Sequence, residues 1–362
     1  MIPVYEPLLG AEERKNLLEA FDSGWTSSKG AFIGEFEESF AKYVGVKHAV
    51  ATSNGTTALH LALEALGVGA GDEVIVPTLT FVSTANAVAY TGAKPVFVDS
   101  QPDYWCIDPD KIREKITEKT KAIIPVHLYG HPCDMDPILE IAEEHNLFVI
   151  EDAAEAHGAE YKGRKVGCFG DVNCFSFFGN KIITTGEGGM CVTNDEKICD
   201  KMQILRDHGT NPNKHYWCDV RGFNYRMTNL QAALGCAQVD RIDDLIEKKR
   251  SIALEYNKRL GDVAGVSLPP EESWARNVYW MYSVLIADDI GLSRDDVMKK
   301  LSGNGVESRP FFPPIHKFPM YDKKESFPVA EELSKKGINL PSSPKLTKED
   351  VKRVAEAVFS LA

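Results

Sequence analysis

The chain has no C-x-x-C pair, no basic block, no internal repeat and no apolar run of the roughly 20 residues that a membrane-crossing helix needs. Each absence narrows the reading. Eight cysteines (106, 133, 168, 174, 191, 199, 218 and 236) are scattered along the chain, which argues against a zinc site or a disulfide framework and for a reducing cytoplasm. Cys174 and Cys191 fall in expected buried strands, where cysteine behaves as a small hydrophobe. Net charge is −12, from 41 basic and 53 acidic residues with no basic cluster, so nucleic acid is a poor partner. The opening MIPVYEPLLGAEERK lacks an apolar stretch behind a basic start, so no secretory signal is expected. What is present is an ordinary globular composition, 43% hydrophobic and 26% charged, over 362 residues. That length suits two or three domains, or one large α/β domain with an appendage.

Taken in order, a helix near Gly10 to Asp22 and another from Ile33 to Val44 flank the polar loop Trp25-Thr26-Ser27-Ser28-Lys29-Gly30. A strand from His48 to Thr52 then meets Ser53-Asn54-Gly55-Thr56-Thr57 and the helical run ALHLALEALGV. A strand, glycine turn and helix start aim free backbone N–H groups at an anion such as phosphate, although simple capping would look the same. No Gly-Lys-Ser/Thr follows, so this is not a P-loop. Further strands are expected at Glu73 to Pro77, Pro95 to Asp99, Ala122 to Leu128 and Leu147 to Ile150, separated by helices. That alternation predicts right-handed βαβ units and a largely parallel sheet covered on both faces, with ligands beyond the carboxyl ends of the strands. Ser53 to Thr57, Thr78 to Phe81, His127 to Gly130 and Glu151-Asp152 stand at those ends.

The organising stretch is CFSFFGNKIITTGEGGM, residues 174–190. Lys181 lies between two apolar strands, Cys174 to Phe178 and Met190 to Val192, and burying an unpaired ammonium is costly. Such a lysine has its pKa lowered and becomes a usable nucleophile and base; a solvated hairpin lysine is the plain alternative. The three glycines after it suggest positive φ or close backbone approach to a ligand. Asp152 ends a buried strand and should have a cationic partner there, or else serve only as a helix cap. A lysine, an aspartate on another strand end and a phosphate cradle are the parts a pyridoxal phosphate site needs.

Asp152 in EDAAEAHGA paired with Lys181 in FSFFGNKIITTGEGGM resembles the DegT/DnrJ/EryC1/StrS sugar aminotransferases. The likeness extends through GWTSSKGAFIGEFE, SNGTTALHLAL, GDEVIVPTLTF, PVHLYGHPCDMDPI, GFNYRMTNLQAA and VESRPFFPPIH. It implies an α/β, fold-type I pyridoxal phosphate enzyme with a large, mostly parallel sheet domain over residues 1–245 and a smaller C-terminal α+β domain over 246–362. Within the family the resemblance is greatest to members that move an amino group from L-glutamate to C4 of GDP-linked 4-keto-6-deoxy-mannose. UDP- or dTDP-linked ketosugars and a non-catalytic cofactor-binding regulator are the rival readings. By matching motif, Lys181 would bond the cofactor and shuttle the proton, and Asp152 would pair with its pyridine nitrogen. Phe81 would stack on the ring, and Gly55, Thr56 and Ser176 would cradle the phosphate. Glu155 stands where many members carry glutamine beside the cofactor. Asn224 matches an asparagine that reaches the phosphate of the neighbouring subunit, so the resemblance implies a homodimer with shared sites. Relatives that dehydrate their sugar carry histidine in place of the lysine; this chain keeps Lys181.

The remainder reads as a long amphipathic helix from Asn229 through Leu260, a linker at Gly261 to Ser273, and then an α+β cap. The cap holds a strand Tyr279 to Ile286, a helix Arg294 to Leu301, a loop Arg309 to Pro319, and helices Val329 to Lys335 and Lys348 to Leu361. A pyrophosphate calls for nearby cations. Lys29, Arg226 and Arg309 are candidates, with Ser28 and His316 as further substrate contacts. A packed, proline-stiffened connection is the plainer reading of His316, and core or interface that of Tyr216-Trp217 and Trp280.

Overall fold

In the computed structural model, which describes residues 1–321 and 324–360, two helices, α1 (Ala11–Asp22) and α2 (Ala31–Val44), precede β1 (His48–Thr52). The chain then alternates through α3 (Gly55–Leu66), β2 (Glu73–Pro77), α4 (Ser83–Tyr90), β3 (Lys94–Val98), α5 (Pro109–Arg113), β4 (Thr120–Ile123), α6 (Met135–His145) and β5 (Phe148–Asp152). A hairpin of β6 (Glu160–Tyr161) and β7 (Arg164–Lys165) leads to β8 (Val172–Ser176) and β9 (Gly189–Thr193). Helices α7 (Glu196–Arg206), α8 (Asn229–Asp240) and α9 (Ile242–Leu260) follow. The last hundred residues form β10 (Val266–Ser267), β11 (Ala275–Arg276), β12 (Tyr282–Ile286), α10 (Arg294–Gly303), β13 (Arg309–Pro310), α11 (Pro328–Lys336), β14 (Gly337–Leu340) and α12 (Lys348–Phe359).

Seven strands make one sheet in the order β1-β9-β8-β5-β4-β2-β3, and only β9 runs against the rest. Strands β2, β8 and β9 are buried at every position, which is why they read as near-continuous apolar runs rather than alternating ones. The parallel order sends the carboxyl ends of β1, β2, β5 and β8 to one edge, and the reversed β9 begins there. Cys174 and Cys191 face each other across β8 and β9 inside this layer, both buried. Helix α2 covers the sheet with Phe36, Phe40, Ala41 and Val44, an i, i+4, i+5, i+8 stripe.

A second, antiparallel sheet, β10-β12-β14-β13, packs on α9 and α12 through Tyr256, Leu260, Tyr282, Val284 and Val354. The two bodies interlock, because Trp280, Phe311, Ile315 and Leu333 belong to the core of the large sheet. The N-terminus crosses between them. Ile2 pairs with Val306, the Val4 N–H donates to Glu307, and the Tyr5 hydroxyl donates to the carbonyl of Lys181.

Several expected elements differ. The single long helix from Asn229 is two, broken at Arg241 (φ −120°, ψ 16°), where the guanidinium turns to pair with the buried Glu13 carboxylate at 3.0 Å. The strand expected from Tyr279 starts at Tyr282, because Tyr279 takes a left-handed φ of 49° with its N–H on the Asn277 side chain. The stretch expected as a loop from Arg309 contains β13 and a 3₁₀ turn at Ile315–Lys317. The final helix is described to Phe359; Leu361 lies outside the described residues.

His157 follows β5 and is fully buried against Phe40, Phe175 and Phe177, with neither ring nitrogen hydrogen-bonded among the described residues. Burial, aided by the nearby Lys181 charge, holds its pKa at about 3. The unfolded chain, with an ordinary histidine, therefore takes up a proton that the fold refuses. Stability present above about pH 6.5 is lost at about 1.4 kcal/mol per unit as pH falls below it. His157→Leu should remove this dependence. Urea midpoints measured from about pH 7.5 to about pH 5 should fall for the wild type relative to the variant as pH falls. A constant difference would mean that the folded protein protonates His157 normally.

Candidate active site

The strand ends open into a cavity of about 610 Å³, lined from α3, α4, β5, β8, the β8–β9 loop and the second body. A larger depression along α1, about 740 Å³, is lined wholly by exposed side chains. Lys181 sits in the cavity on the β8–β9 loop. Its N–H donates to the Phe178 carbonyl at 2.9 Å and its own carbonyl is held by Tyr5, so the backbone is fixed at both ends. The amine Nζ lies 3.7 Å from the centroid of the Trp280 ring and 3.9 Å from Glu155 Oε1. Burial pushes the Lys181 pKa down from the usual lysine range, against the upward pull of Glu155 and Asp152. Of the three following glycines, Gly186 takes φ 85°. Gly188 and Gly189 are instead crowded by the protein itself. A Cβ on Gly189 would stand 2.3 Å from the Asn54 carbonyl oxygen, so β9 carries no side chain where the α3 turn crosses it.

Asp152 ends β5 with Oδ2 accepting from Thr84 Oγ1 at 2.8 Å and Oδ1 accepting from the Ala154 N–H at 3.2 Å. Burial nevertheless pushes its pKa up, because the cation expected beside it is missing: among the described residues no basic side chain comes within 4.0 Å. Glu155 is raised to about 7 by burial, opposed by Lys181 and by the Tyr129 N–H that donates to Oε2 at 2.7 Å. The other two acids and bases at this sheet edge are structural. His127 and Glu151, both fully buried, bond each other at 2.9 Å, and Glu151 also accepts from the N–H groups of Gly167 and Phe169.

Helix α3 supplies the anion end. Asn54, rather than the Ser/Thr residues, caps it by accepting from the Thr57 N–H at 2.9 Å. The first N–H groups of α3 have no acceptor within the helix and face the cavity beside Ser176. A Cβ on Gly55 would sit 2.8 Å from Ser176 Cβ, so glycine is needed for the two to line one cradle. The open side is walled by aromatic rings. Phe81 meets Phe312 at 5.7 Å between centroids, and Phe312 stacks on Tyr129 at 5.3 Å. A buried carboxylate with no cation, a low-pKa amine, a glycine-lined helix start, an aromatic face and the unpartnered buried Oδ1 of Asn180 together fit a phosphorylated, basic heteroaromatic cofactor.

Of the residues singled out in the sequence, Lys181, Asp152, Gly55, Thr56, Phe81, Glu155, Ser176 and Arg309 line this cavity. Asn224, Ser28, Lys29 and Arg226 do not line it in their own chain. Arg226 instead pairs with Asp207 at 2.9 Å and bonds Asn224 through its Nε. His316 is a correction. It is 2% exposed, bonded to Thr78 Oγ1 at 2.6 Å and Glu331 at 3.2 Å, and ties the 311–331 segment to the end of β2 instead of facing a substrate. Trp280 packs in the core, as the sequence suggested, and within it the indole lies over the lysine amine and its Nε1–H donates to the Asn180 carbonyl. Thr84 and Phe312 carried no signal of their own in the sequence, because each acts through a partner remote along the chain. Gly55→Ala should force the cradle apart and weaken pyridoxal phosphate binding at least tenfold by equilibrium dialysis; unaltered affinity would place the phosphate elsewhere.

The sequence pattern of the DegT/DnrJ/EryC1/StrS aminotransferase family matches residues 7–359. The chain is 51% identical over 360 residues to a GDP-perosamine synthase of Caulobacter vibrioides, covering 99% of this chain and 97% of that one. It is 50% identical over 358 residues to one of Escherichia coli O157:H7, with the same coverage, and 46% identical over 361 residues to one of Vibrio cholerae, covering 99% and 98%. Among solved structures, an aminotransferase from Streptoalloteichus hindustanus superposes with a TM-score of 0.95 at 32% identity, over 100% of this chain and 98% of that one. A putative sugar aminotransferase from Streptococcus pneumoniae, in its PMP form, superposes with a TM-score of 0.94 at 28% identity, over 99% and 97%. The chain is a pyridoxal phosphate-dependent sugar aminotransferase of fold type I and belongs to the DegT/DnrJ/EryC1/StrS family.

Proposed function

We propose that this enzyme transfers an amino group from L-glutamate to C4 of GDP-4-keto-6-deoxy-D-mannose, giving GDP-perosamine and 2-oxoglutarate. The carrying observation is the near full-length identity, 46–51%, to three GDP-perosamine synthases, joined to a cavity that keeps both Lys181 and Asp152. Pyridoxal phosphate supplies an electron sink that makes a proton on the carbon next to the transferred nitrogen acidic. Lys181 would hold the group covalently, and its amine would move that proton. Asp152, already desolvated and hydrogen-bonded by Thr84, would pair with the ring nitrogen and keep it protonated. Gly55, Thr56 and Ser176 would hold the phosphate, and Phe81 would cover the ring. Arg309, at the cavity mouth, attracts the nucleotide pyrophosphate.

The working unit in this reading is a cytoplasmic homodimer, whose product is a donor for surface polysaccharide such as O-antigen. Among the described residues no helix is long and apolar enough to cross a membrane. In this reading Asn224, exposed and outside its own cavity, reaches the phosphate of the partner subunit, while Ser28, Lys29 and Arg226 serve the substrate. Residues 1–245 make the cofactor-binding domain and 246–362 the domain that closes over the sugar.

Added pyridoxal phosphate should give the purified protein a visible absorption band that L-glutamate bleaches and GDP-4-keto-6-deoxy-mannose restores. Lys181→Ala should lower turnover at least 10³-fold, as expected when one group serves as both nucleophile and base. Bleaching restored only by a UDP- or dTDP-linked ketosugar would keep the aminotransferase and change the sugar; no bleaching would favour a binding regulator. Mixing Asn224→Ala with Lys181→Ala tests the dimer. Subunit exchange leaves one of two sites intact in a mixed dimer and should recover activity that neither variant has alone, whereas no recovery would place Asn224 outside a shared site.

A further inference from the structure

Glu155 is placed with more care than a spectator at the cofactor's edge would need. It is 3% exposed, just past the end of β5, and its Oε2 is pinned by the Tyr129 N–H at 2.7 Å. Tyr129 reaches that position only by taking φ 53°, a left-handed conformation that aromatic residues rarely adopt, and its hydroxyl is held in turn by the Phe312 N–H at 2.9 Å. Backbone strain is thus maintained to aim one carboxylate. Its free oxygen, Oε1, is the only acidic oxygen among the described residues within 4.0 Å of Lys181 Nζ, at 3.9 Å. A swing of about 1 Å by the lysine tip brings the two to hydrogen-bond distance.

Lys181 has a difficulty that this pair resolves. Burial favours the neutral amine of Lys181, but whenever that amine carries a proton it cannot act as a base. The groups facing the pair are few. Asp152 lies on the same strand end, Cys106 and the Tyr129 N–H lie behind Glu155, and the Trp280 ring covers Lys181 from the other side. His157, adjacent and buried, stays neutral. Arg309 is exposed at the mouth. Asp152 is committed to the ring nitrogen, which leaves Glu155 as the acceptor. We propose that Glu155 is the proton-relay partner of Lys181, taking one proton from the ammonium to free the amine and returning it when the amine has delivered the substrate proton. The exchange is balanced: ammonium plus carboxylate become amine plus carboxylic acid, and the reverse. Burial holds the Glu155 pKa at about 7, where such an exchange runs in both directions near neutral pH. The catalytic meaning of the relay rests on the aminotransferase reading; the charge coupling does not.

Glu155→Gln retains an acceptor for the Tyr129 N–H and removes only the titrating charge. In the full-length chain freed of cofactor, the rate of Lys181 labelling by trinitrobenzenesulfonate, followed by peptide mass spectrometry across pH, reads the lysine's charge directly. Losing the carboxylate should lower the labelling midpoint by about one pH unit or more, making labelling near neutral pH about tenfold faster. An unchanged or raised midpoint overturns the coupling. In the loaded enzyme, the glutamate half-reaction of wild type should fall off on the acidic side as Glu155 protonates. The Gln variant should lack that limb and run on the order of 10²-fold slower. A Gln variant with wild-type rate and limb overturns the relay even if the midpoint moves. Persistent activity in Lys181→Ala would instead sink the functional reading and leave the labelling result standing.

Discussion

The structure turns on the desolvation of one amine and two carboxylates in a single cavity. Lys181, Asp152 and Glu155 are each at least nine-tenths buried, and none forms a close ion pair with another. Full pairing would have neutralised the charges and removed their reactivity, while full exposure would have returned each pKa to its ordinary value. The protein holds the intermediate condition. Burial biases all three groups toward their neutral forms, and directed hydrogen bonds from Thr84, Ala154 and Tyr129 limit how far the two acids move. In the proposed function, a cofactor offering a ring nitrogen to Asp152 and an aldehyde to Lys181 would complete this arrangement instead of competing with it.

Topology makes the arrangement possible. Parallel strands bring remote residues to one edge, and the single reversed strand, β9, closes that edge so that the β8–β9 loop folds back over the cavity with Lys181 on it. Helix α3 starts at the same edge, and it can lie close only because Gly55 and Gly189 carry no side chain where Ser176 and Asn54 pass. These are steric conditions on backbone approach. They explain why so much glycine gathers around one lysine better than flexibility does.

The second body is part of the active site and not an appendage to it. Trp280 lies on the lysine amine, Phe312 extends the aromatic wall and Arg309 stands at the mouth. The N-terminal strap reaches the Lys181 carbonyl through Tyr5 while pairing with Val306 and Glu307 of the second body. His316 serves the same union, as a buried bolt between Thr78 and Glu331.

The chain's own order of residues determined the alternating α/β pattern, the polar clusters at the strand ends, the lysine between two apolar strands and the aspartate 29 residues before it. All of these are local signals, since periodicity, caps and breakers act within a few residues. Contacts between distant residues decided the rest. Nothing in the 229–260 stretch marks a break at Arg241, because what turns the helix there is Glu13, far back in the chain. Trp280 is the core residue it read as, but only folding set it on Lys181, and for His316 only Thr78 and Glu331 decided between a packed connection and a ligand. Which acid would keep a free oxygen toward the lysine was likewise undecided, since the strained turn at Tyr129 is chemically silent in the sequence. Pairing, burial and pKa belong to neighbours in space, and those neighbours exist only once the sheet has brought its strand ends together.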